Sequence, residues 1–304
     1  MSKERIRSFI SIFVKSYKEL IKNDPLRMAG ATAFFTSFAL PPILIILIQA
    51  LGLLFNPRKI TRLLFQDLSE IIGRESMLNI IQTLIGFRKI AQNWFIALIG
   101  FLFMLFVAST LFQIIRGSIN QVWKIRKVKR ENFLTKMRKR LETIYLILIA
   151  GVLFIIGIFT DGIQQLIIDN IFHFSSANAK VFNNIADYIF SVIAVTVWFT
   201  LLFRYLPDAR PGWRVAFAGG ALTSVLFTIG KLILHALLNY QNVDAIYRTS
   251  ASIVLLLLFV FYSSLILYFG AAFTNHYAEK HQLPIRPTKN ASHYRLAEVK
   301  EVFI

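Results

Sequence analysis

The chain has 304 residues, of which 56% are hydrophobic and 16% charged, and its formal net charge is +18. A soluble protein carries roughly a quarter charged residues, and so much apolar surface cannot all be buried in one water-soluble core of this size. Lipid is therefore the predicted solvent, and the lack of cysteine excludes disulfides, Fe–S clusters and thiol catalysis.

The first predicted element is an amphipathic helix within residues 1–27. Its apolar residues recur at three- and four-residue spacing, while Lys15, Lys18 and Lys22 occupy the other face. This pattern predicts a helix that lies in the membrane interface, with its cations near anionic headgroups. No short apolar stretch with a small-residue cleavage site is present here, so no removable signal peptide is expected.

Six apolar stretches are long enough to cross a bilayer, since a span needs about 20 apolar residues at about 1.5 Å per residue. The predicted spans are 28–55, 94–115, 143–168, 184–203, 213–240 and 249–277. After the first span, two further apolar stripes predict an outer helical hairpin over 58–89. The predicted fold is all-α: a polytopic membrane protein with about six transmembrane helices in 28–277, amphipathic interfacial helices, and a polar tail over 278–304.

Lysine and arginine residues are sorted between the two sides of these spans. Segments 1–27, 116–142, 204–214 and 278–304 fall on one side and together hold most of the chain's 34 Lys and Arg residues. Basic loops remain in the cytoplasm, which predicts that both termini are cytoplasmic. The 56–93 loop is the exception, because it places six cations on the outer side. Membrane orientation explains the positive charge without nucleic acid.

The first span has small residues at four-residue spacing, followed by Pro41 and Pro42 near its centre. The two prolines remove backbone donors, so a kink or a break is expected. Unwound backbone at membrane depth forms binding sites in many transporters, which makes Thr36, Pro41 and Pro42 candidate pathway residues. An inert proline kink is the alternative.

The fifth span carries a row of small and polar residues on one helix face. Its members recur at spacings of 4, 4, 3, 4 and 4: Gly220, Ser224, Thr228, Lys231, His235 and Asn239. A lysine inside a span is expected to face the bundle interior or a watered cavity and to have a partner, for which Asp161 is the candidate. The row therefore predicts a cavity or pathway; a buried structural pair and snorkelling of Lys231 to the interface are the alternatives.

The turn between the fourth and fifth spans contains Arg204, Pro207 and Asp208, which are interpreted as orientation anchor, helix stop and turn residue. Signatures of enzymes are absent from the sequence: it has no Walker A loop and no HExxH motif, and its five histidines are not spaced as metal ligands. No acidic cluster suited to catalytic Mg²⁺ is visible either. We therefore predict no catalytic residue, metal, cofactor or enzyme activity.

Five segments, in this order and spacing, resemble one known family. They are ATAFFTSFALP at 31–41, RGSINQVW at 116–123, RYLPD at 204–208, the Gly219-Gly220 pair, and LYFGAAFTN at 267–275. They resemble the YihY/BrkB family of bacterial inner-membrane proteins, once mislabelled ribonuclease BN. The resemblance implies a six-helix protein of the bacterial inner membrane and supplies no reaction or substrate. The family usually has an acidic residue at the position of Thr274, which argues against a proton-linked role there.

Two functions follow from these patterns. The first is transport: moving, or helping to move, a lipid or small solute across the membrane, with anionic headgroups on the cytoplasmic side as partners. The second is a non-transporting scaffold for envelope assembly, whose outer hairpin and basic loops dock other proteins. A homo-oligomer and an envelope protein stay open as protein partners.

Overall fold

The computed structural model describes residues 3–52, 94–128, 192–240 and 251–295, with isolated helical positions within 62–85 and 145–149. Its helices are α1 (Lys3–Lys22), α2 (Pro25–Gly52), α3 (Trp94–Val122), α4 (Val192–Tyr205), α5 (Trp213–Tyr240) and α6 (Ala251–Lys280). Its strands are β1 (Ile125–Lys127), β2 (Ala209–Arg210), β3 (Arg286–Pro287) and β4 (Ala291–His293).

The described helices are those of a membrane protein. Three stretches among the described residues are long and apolar enough to cross a bilayer, namely Pro25–Ile45, Trp213–Ile233 and Leu256–Lys280, and α4 is a shorter apolar helix. Large apolar side chains cover their outer surfaces, as in α5, where Val225 and Ile229 are each 48% exposed. The predicted all-α membrane fold is confirmed. The third span, 143–168, lies outside the described residues apart from isolated helical positions, and the count of six stays a prediction.

Helix α6 lies at the centre, where it packs against α1, α2, α3 and α5. The hydroxyl of its fully buried Tyr268 contacts Thr32 Oγ1 of α2 at 2.5 Å. Trp123, just after α3, donates its indole N–H to the carbonyl of Ala271 at 2.8 Å. Polar side chains in hydrocarbon need such partners, so these bonds fix how α2 and α3 sit on α6.

Helices α5 and α6 interlock through two reciprocal glycine–threonine contacts. A Cβ at Gly219 would overlap Thr274 Oγ1, and a Cβ at Gly270 would overlap Thr223 Oγ1. Each threonine hydroxyl donates to a carbonyl of its own helix at 2.7 Å, Thr223 to Gly219 and Thr274 to Gly270. Small residues allow membrane helices to approach closely. The fully buried Thr274 thus fills a site with no space for a longer acidic side chain.

The described parts of the four basic segments meet at one end of the bundle, called here the basic end. Helix α1 lies against the last turns of α6 in the opposite direction, with Phe9 on Phe273 (5.8 Å between ring centres) and Phe13 on Phe269 (4.7 Å). Strand β4 pairs antiparallel with β1, and β3 with β2. The C-terminal segment is thereby tied to the turns that follow α3 and α4.

Helix α1 is amphipathic, as its periodicity predicts. Ile12, Ser16 and Leu20 are buried against the bundle, while Lys15 and Lys18 are exposed. A third set of side chains is apolar and exposed: Phe9, Ile10, Phe13, Val14, Tyr17 and Ile21. An exposed apolar strip beside lysines is typical of a helix in the membrane interface.

Of the kink or break predicted at Pro41 and Pro42, the break is absent, because α2 runs through both residues without interruption. A kink there stays a prediction. The prolines remove only the helical bonds to the carbonyls of Ser37 and Phe38. An unwound segment would leave more backbone groups without partners in hydrocarbon, which costs several kcal/mol per group. Both prolines are buried, and α3 and α6 pack against α2 and support it.

The predicted outer hairpin, 58–89, lies outside the described residues apart from isolated helical positions. Two of these, Met77 and Ile80, are buried in a cluster with Leu44 of α2 and Leu256 of α6. This cluster lies toward the end of the bundle opposite the basic end.

Candidate functional site

Asp208, in the turn after α4, is held in a buried network at the basic end. Asn120 Nδ2 donates to Asp208 Oδ2 at 2.8 Å, and Asp208 N donates to Asn120 Oδ1 at 2.9 Å. Thr288 donates to the Asp208 carbonyl through its backbone N–H and its hydroxyl, both at 3.0 Å. Lys127 Nζ lies 3.9 Å from Asp208 Oδ2. The buried Asp208 therefore stabilises the turn through its backbone as well as through its carboxylate.

Arg116 of α3 completes this network from the same side. Its Nε donates to the carbonyl of Leu206 at 2.6 Å, and its side chain is 5% exposed. Pro207 is buried and follows the end of α4, as expected of a helix stop. The RGSIN and RYLPD segments therefore form a hydrogen-bonded clamp between α3 and the α4–α5 turn.

Arg204 occupies the opposite side of the same turn. Its guanidinium carbon lies 4.5 Å from the ring centre of Trp213 and 6.0 Å from that of Tyr205. One Nη donates to the carbonyl of Pro211. Its Nε is buried and has no hydrogen-bond partner within the described part of the chain. Stacking on Trp213 and the bond to Pro211 fix the guanidinium plane and leave the Nε–H without a partner among the described residues.

An apolar groove of about 430 Å³ opens between α4 and α5 beside Trp213. Its lining residues are Val197, Thr200, Leu201, Trp213, Arg214 and Phe217. Trp213 is 52% exposed and Phe217 57%. The volume falls in the range of small-molecule sites, about 300–1,000 Å³.

Three arginines on or near this turn have no carboxylate partner among the described residues, and one of them lines the groove. Arg214 lines it, Arg204 stacks on Trp213, and Arg210 is exposed in β2. No acidic residue among those described lies within salt-bridge distance of these three arginines. The groove therefore combines an apolar interior with a positive entrance.

Farther from the basic end, α4 and α5 close onto each other. A Cβ at Gly220 would lie 2.8 Å from the backbone N of Thr200. Ser224 donates to the carbonyl of Val192 at 3.0 Å, and Thr196 donates to the same oxygen at 2.7 Å. Phe199 of α4 and Phe227 of α5 also meet here, with 5.9 Å between their ring centres. The contact beyond the groove therefore combines small and hydroxyl side chains with an aromatic pair.

The rest of the predicted row continues along α5. Thr228 and Lys231 are half-buried, and Lys231 follows Ser224 by seven residues, so it lies on the same helix face. Helix α5 remains helical through His235 and Asn239, whose side chains lie outside the described set, as does the whole of Asp161. The predicted Lys231–Asp161 pair therefore stays a prediction. Ser224 contacts α4, and Thr228 and Lys231 follow it on the same face of α5. Thr36 lies apart from them and donates to Thr32 within α2.

A second cavity of about 430 Å³ lies at the basic end, where Asn275 and Glu279 of α6 face His293. Glu279 accepts from Asn275 at 3.2 Å and lies 3.0 Å from His276 Nδ1. Within the described ranges, no three His, Asp or Glu residues are grouped as metal ligands would be. This cavity offers hydrogen bonds but no evident catalytic arrangement.

The sequence reasoning did not single out Trp213, Phe217 and Arg214, although they line the groove. A usable signal was present: an aromatic residue beside an arginine at the start of a span is typical of the membrane interface. These aromatic residues face an open groove because of the way α4 packs against α5. The local sequence of α5 does not encode that packing.

Comparison with known proteins gives one family. A family model described as "Virulence factor BrkB" matches residues 16–294. A UPF0761 membrane protein of Pseudomonas aeruginosa (strain LESB58) is 29% identical over 178 residues, which is 57% of this chain and 40% of that protein. A UPF0761 membrane protein of Chromohalobacter salexigens is 23% identical over 285 residues, which is 87% of this chain and 63% of that protein. The chain thus spans less than two thirds of these relatives' length, and no solved structure matches it.

Proposed function

The chain belongs to the Virulence factor BrkB family of membrane proteins, and we propose that it moves, or helps to move, a lipid or small solute across the membrane along the contact between α4 and α5. The relatives named above are described only as membrane proteins, so the proposal rests on this chain's own geometry. In this proposal the membrane is the bacterial inner membrane, and the basic end faces the cytoplasm because Lys- and Arg-rich loops remain there.

The observation that carries the proposal is the row of polar residues on one face of α5, whose first members contact α4. A lysine within a span costs about 2.5 kcal/mol or more unless protein or water surrounds it. Lys231 lies on the same face as Ser224, whose hydroxyl bonds to α4. Such hydroxyl bonds between membrane helices are worth about 0.6 kcal/mol on average. In this proposal the α4–α5 contact is the one that opens, because it lacks the two reciprocal glycine–threonine contacts that interlock α5 with α6.

The experiment is lipid transfer between leaflets of liposomes that contain the purified protein. Fluorescent lipid that reaches the outer leaflet is quenched by a reductant that does not cross the membrane. Lys231→Met should lower the protein-dependent rate at least about tenfold, which corresponds to ~1.4 kcal/mol. Lys280→Met, at the exposed end of α6, is the matched control and should leave the rate unchanged. A wild-type rate in folded Lys231→Met protein would refute the assignment of the pathway.

The scaffold function also has an observation in its favour. Met77 and Ile80 pack against the bundle, while the nearby Leu78 and Ile85 are 50% and 51% exposed. Exposed apolar residues beside such a contact suit a protein partner. If Leu78→Ser with Ile85→Ser abolished the function in cells while Lys231→Met had no effect, the scaffold would replace transport.

A further inference from the structure

We propose that the groove between α4 and α5 binds a phospholipid with an anionic headgroup, with an acyl chain along the apolar lining and the phosphate beside Arg204 and Arg214. The claim that this phospholipid is the transported molecule rests on the function proposed above. The claim that the groove binds it can be tested independently of transport.

The acyl chain is assigned to the groove because of what lines it and where it lies. Val197 and Leu201 of α4 face Trp213 and Phe217 of α5 across the groove. The groove opens between apolar helices of a membrane protein, so lipid acyl chains are the apolar groups that surround it. Each methylene group that leaves water contributes about 0.8 kcal/mol, and an occupied groove also covers two large exposed rings.

The anionic headgroup is assigned from charge complementarity at the entrance. Trp213 holds the guanidinium plane of Arg204 in place, and because its Nε is buried, the Nη groups are the donors that can reach a phosphate. A planar guanidinium binds a phosphate through two parallel hydrogen bonds, which a fixed orientation favours. Arg214 and Arg210 add positive charge that no described carboxylate neutralises. A headgroup with an ammonium group would place a further cation among these arginines, and the repulsion would disfavour it.

The start of α5 supports the same placement. The first helical bond of α5 runs from Ala216 N to the carbonyl of Gly212, so the N–H groups of the preceding turn have no acceptor within the helix. Gly212 has no side chain that could cap them. N–H groups that have no acceptor within their helix favour an anion nearby. Here they belong to the turn that carries Arg214, at the mouth of the groove.

The test uses the full chain in nanodiscs of phosphatidylcholine, titrated with phosphatidylglycerol that carries brominated acyl chains. Bromine quenches tryptophan on contact, and the chain has three other tryptophans, so the part of the quenching that is lost in Trp213→Phe reports occupancy of the groove. We expect saturable quenching by the glycerol lipid and about tenfold weaker binding in Arg204→Gln, a change of ~1.4 kcal/mol. Arg126→Gln, which removes an exposed arginine from β1 at the same end, is the matched control. If Arg204→Gln does not fold, Arg214→Gln carries the same prediction, since its side chain is exposed.

The outcomes separate the alternatives. Equal quenching by brominated phosphatidylcholine, or unchanged affinity in both arginine variants, would overturn the headgroup assignment. Displacement by inorganic phosphate with no effect of acyl chains would indicate a site for free anions. Lys231→Met should bind the lipid normally and fail only in transfer. In the wild-type protein, binding without transfer would refute the proposed function alone, and transfer without binding would refute this inference alone.

Discussion

The two sides of the α4–α5 turn use charged residues in opposite ways. On one side, Asp208 and Arg116 are buried and their partners are neighbouring side chains and carbonyls. On the other side, Arg204 and Arg214 lie beside an apolar groove without a carboxylate partner among the described residues. Charges that are satisfied inside the protein define its shape, and those that are not remain available to a ligand.

The comparison predicts that stability and lipid binding can be changed independently. Substitutions on the clamp side should lower the stability against unfolding and leave the lipid affinity of the folded protein unchanged. Substitutions on the groove side should lower the lipid affinity and leave the stability unchanged.

The largest effect is expected from Asn120→Ala on the clamp side. This change removes both hydrogen bonds to Asp208 and leaves a buried carboxylate short of a donor. A lost bond to a charged group costs about 1.5–3 kcal/mol. Thermal unfolding in detergent should show a clear drop in midpoint, with no change in lipid affinity at low temperature. Gln121→Ala, which loses longer bonds to Asn23 and Arg27, is the control and should cost less.

A smaller loss of stability is expected from Gly219→Ala at the α5–α6 contact. The new Cβ would overlap Thr274 Oγ1, and overpacking costs about 1–3 kcal/mol. Adding Thr274→Ala removes the clashing oxygen, so the double variant should regain part of the lost midpoint. Additive destabilisation by the two changes would show that this contact is not as tight as described.

The smallest effect is expected from Arg210→Gln on the groove side. Arg210 is exposed in β2, and a cation near an anionic surface contributes about 1 kcal/mol or less. Affinity for phosphatidylglycerol should fall a few-fold in low salt and much less in high salt, because exposed charges are screened. An affinity loss as large as that of Arg204→Gln would mean that the phosphate lies nearer β2 than proposed.

Apolar length and charge sorting predicted the membrane helices well. The fifth predicted span, 213–240, has the bounds of α5, and the described parts of the basic segments meet at one end. These features are local, or follow from the bilayer itself, so one sequence is sufficient to find them.

The features that depend on packing were not predicted. The pairing of β1 with β4 joins a three-residue strand after α3 to one near the C-terminus, too short for an alternating pattern to be visible. The choice between a kink and a break at Pro41 and Pro42 was not fixed by the prolines alone, and the break is absent in a helix that α3 and α6 support. Arg116 of α3 and Arg204 beside the α4–α5 turn look alike in sequence, and only their burial and partners in the structure separate them.

Opening of the α4–α5 contact is tested most directly by locking it. Thr196 and Ser224 both donate to the carbonyl of Val192, so cysteines at these positions would lie close together, and the chain has no other cysteine. With Thr196→Cys and Ser224→Cys, oxidation should stop lipid transfer, reduction should restore it, and each single variant should remain active in both states. Transfer at an undiminished rate in fully cross-linked protein would contradict the account.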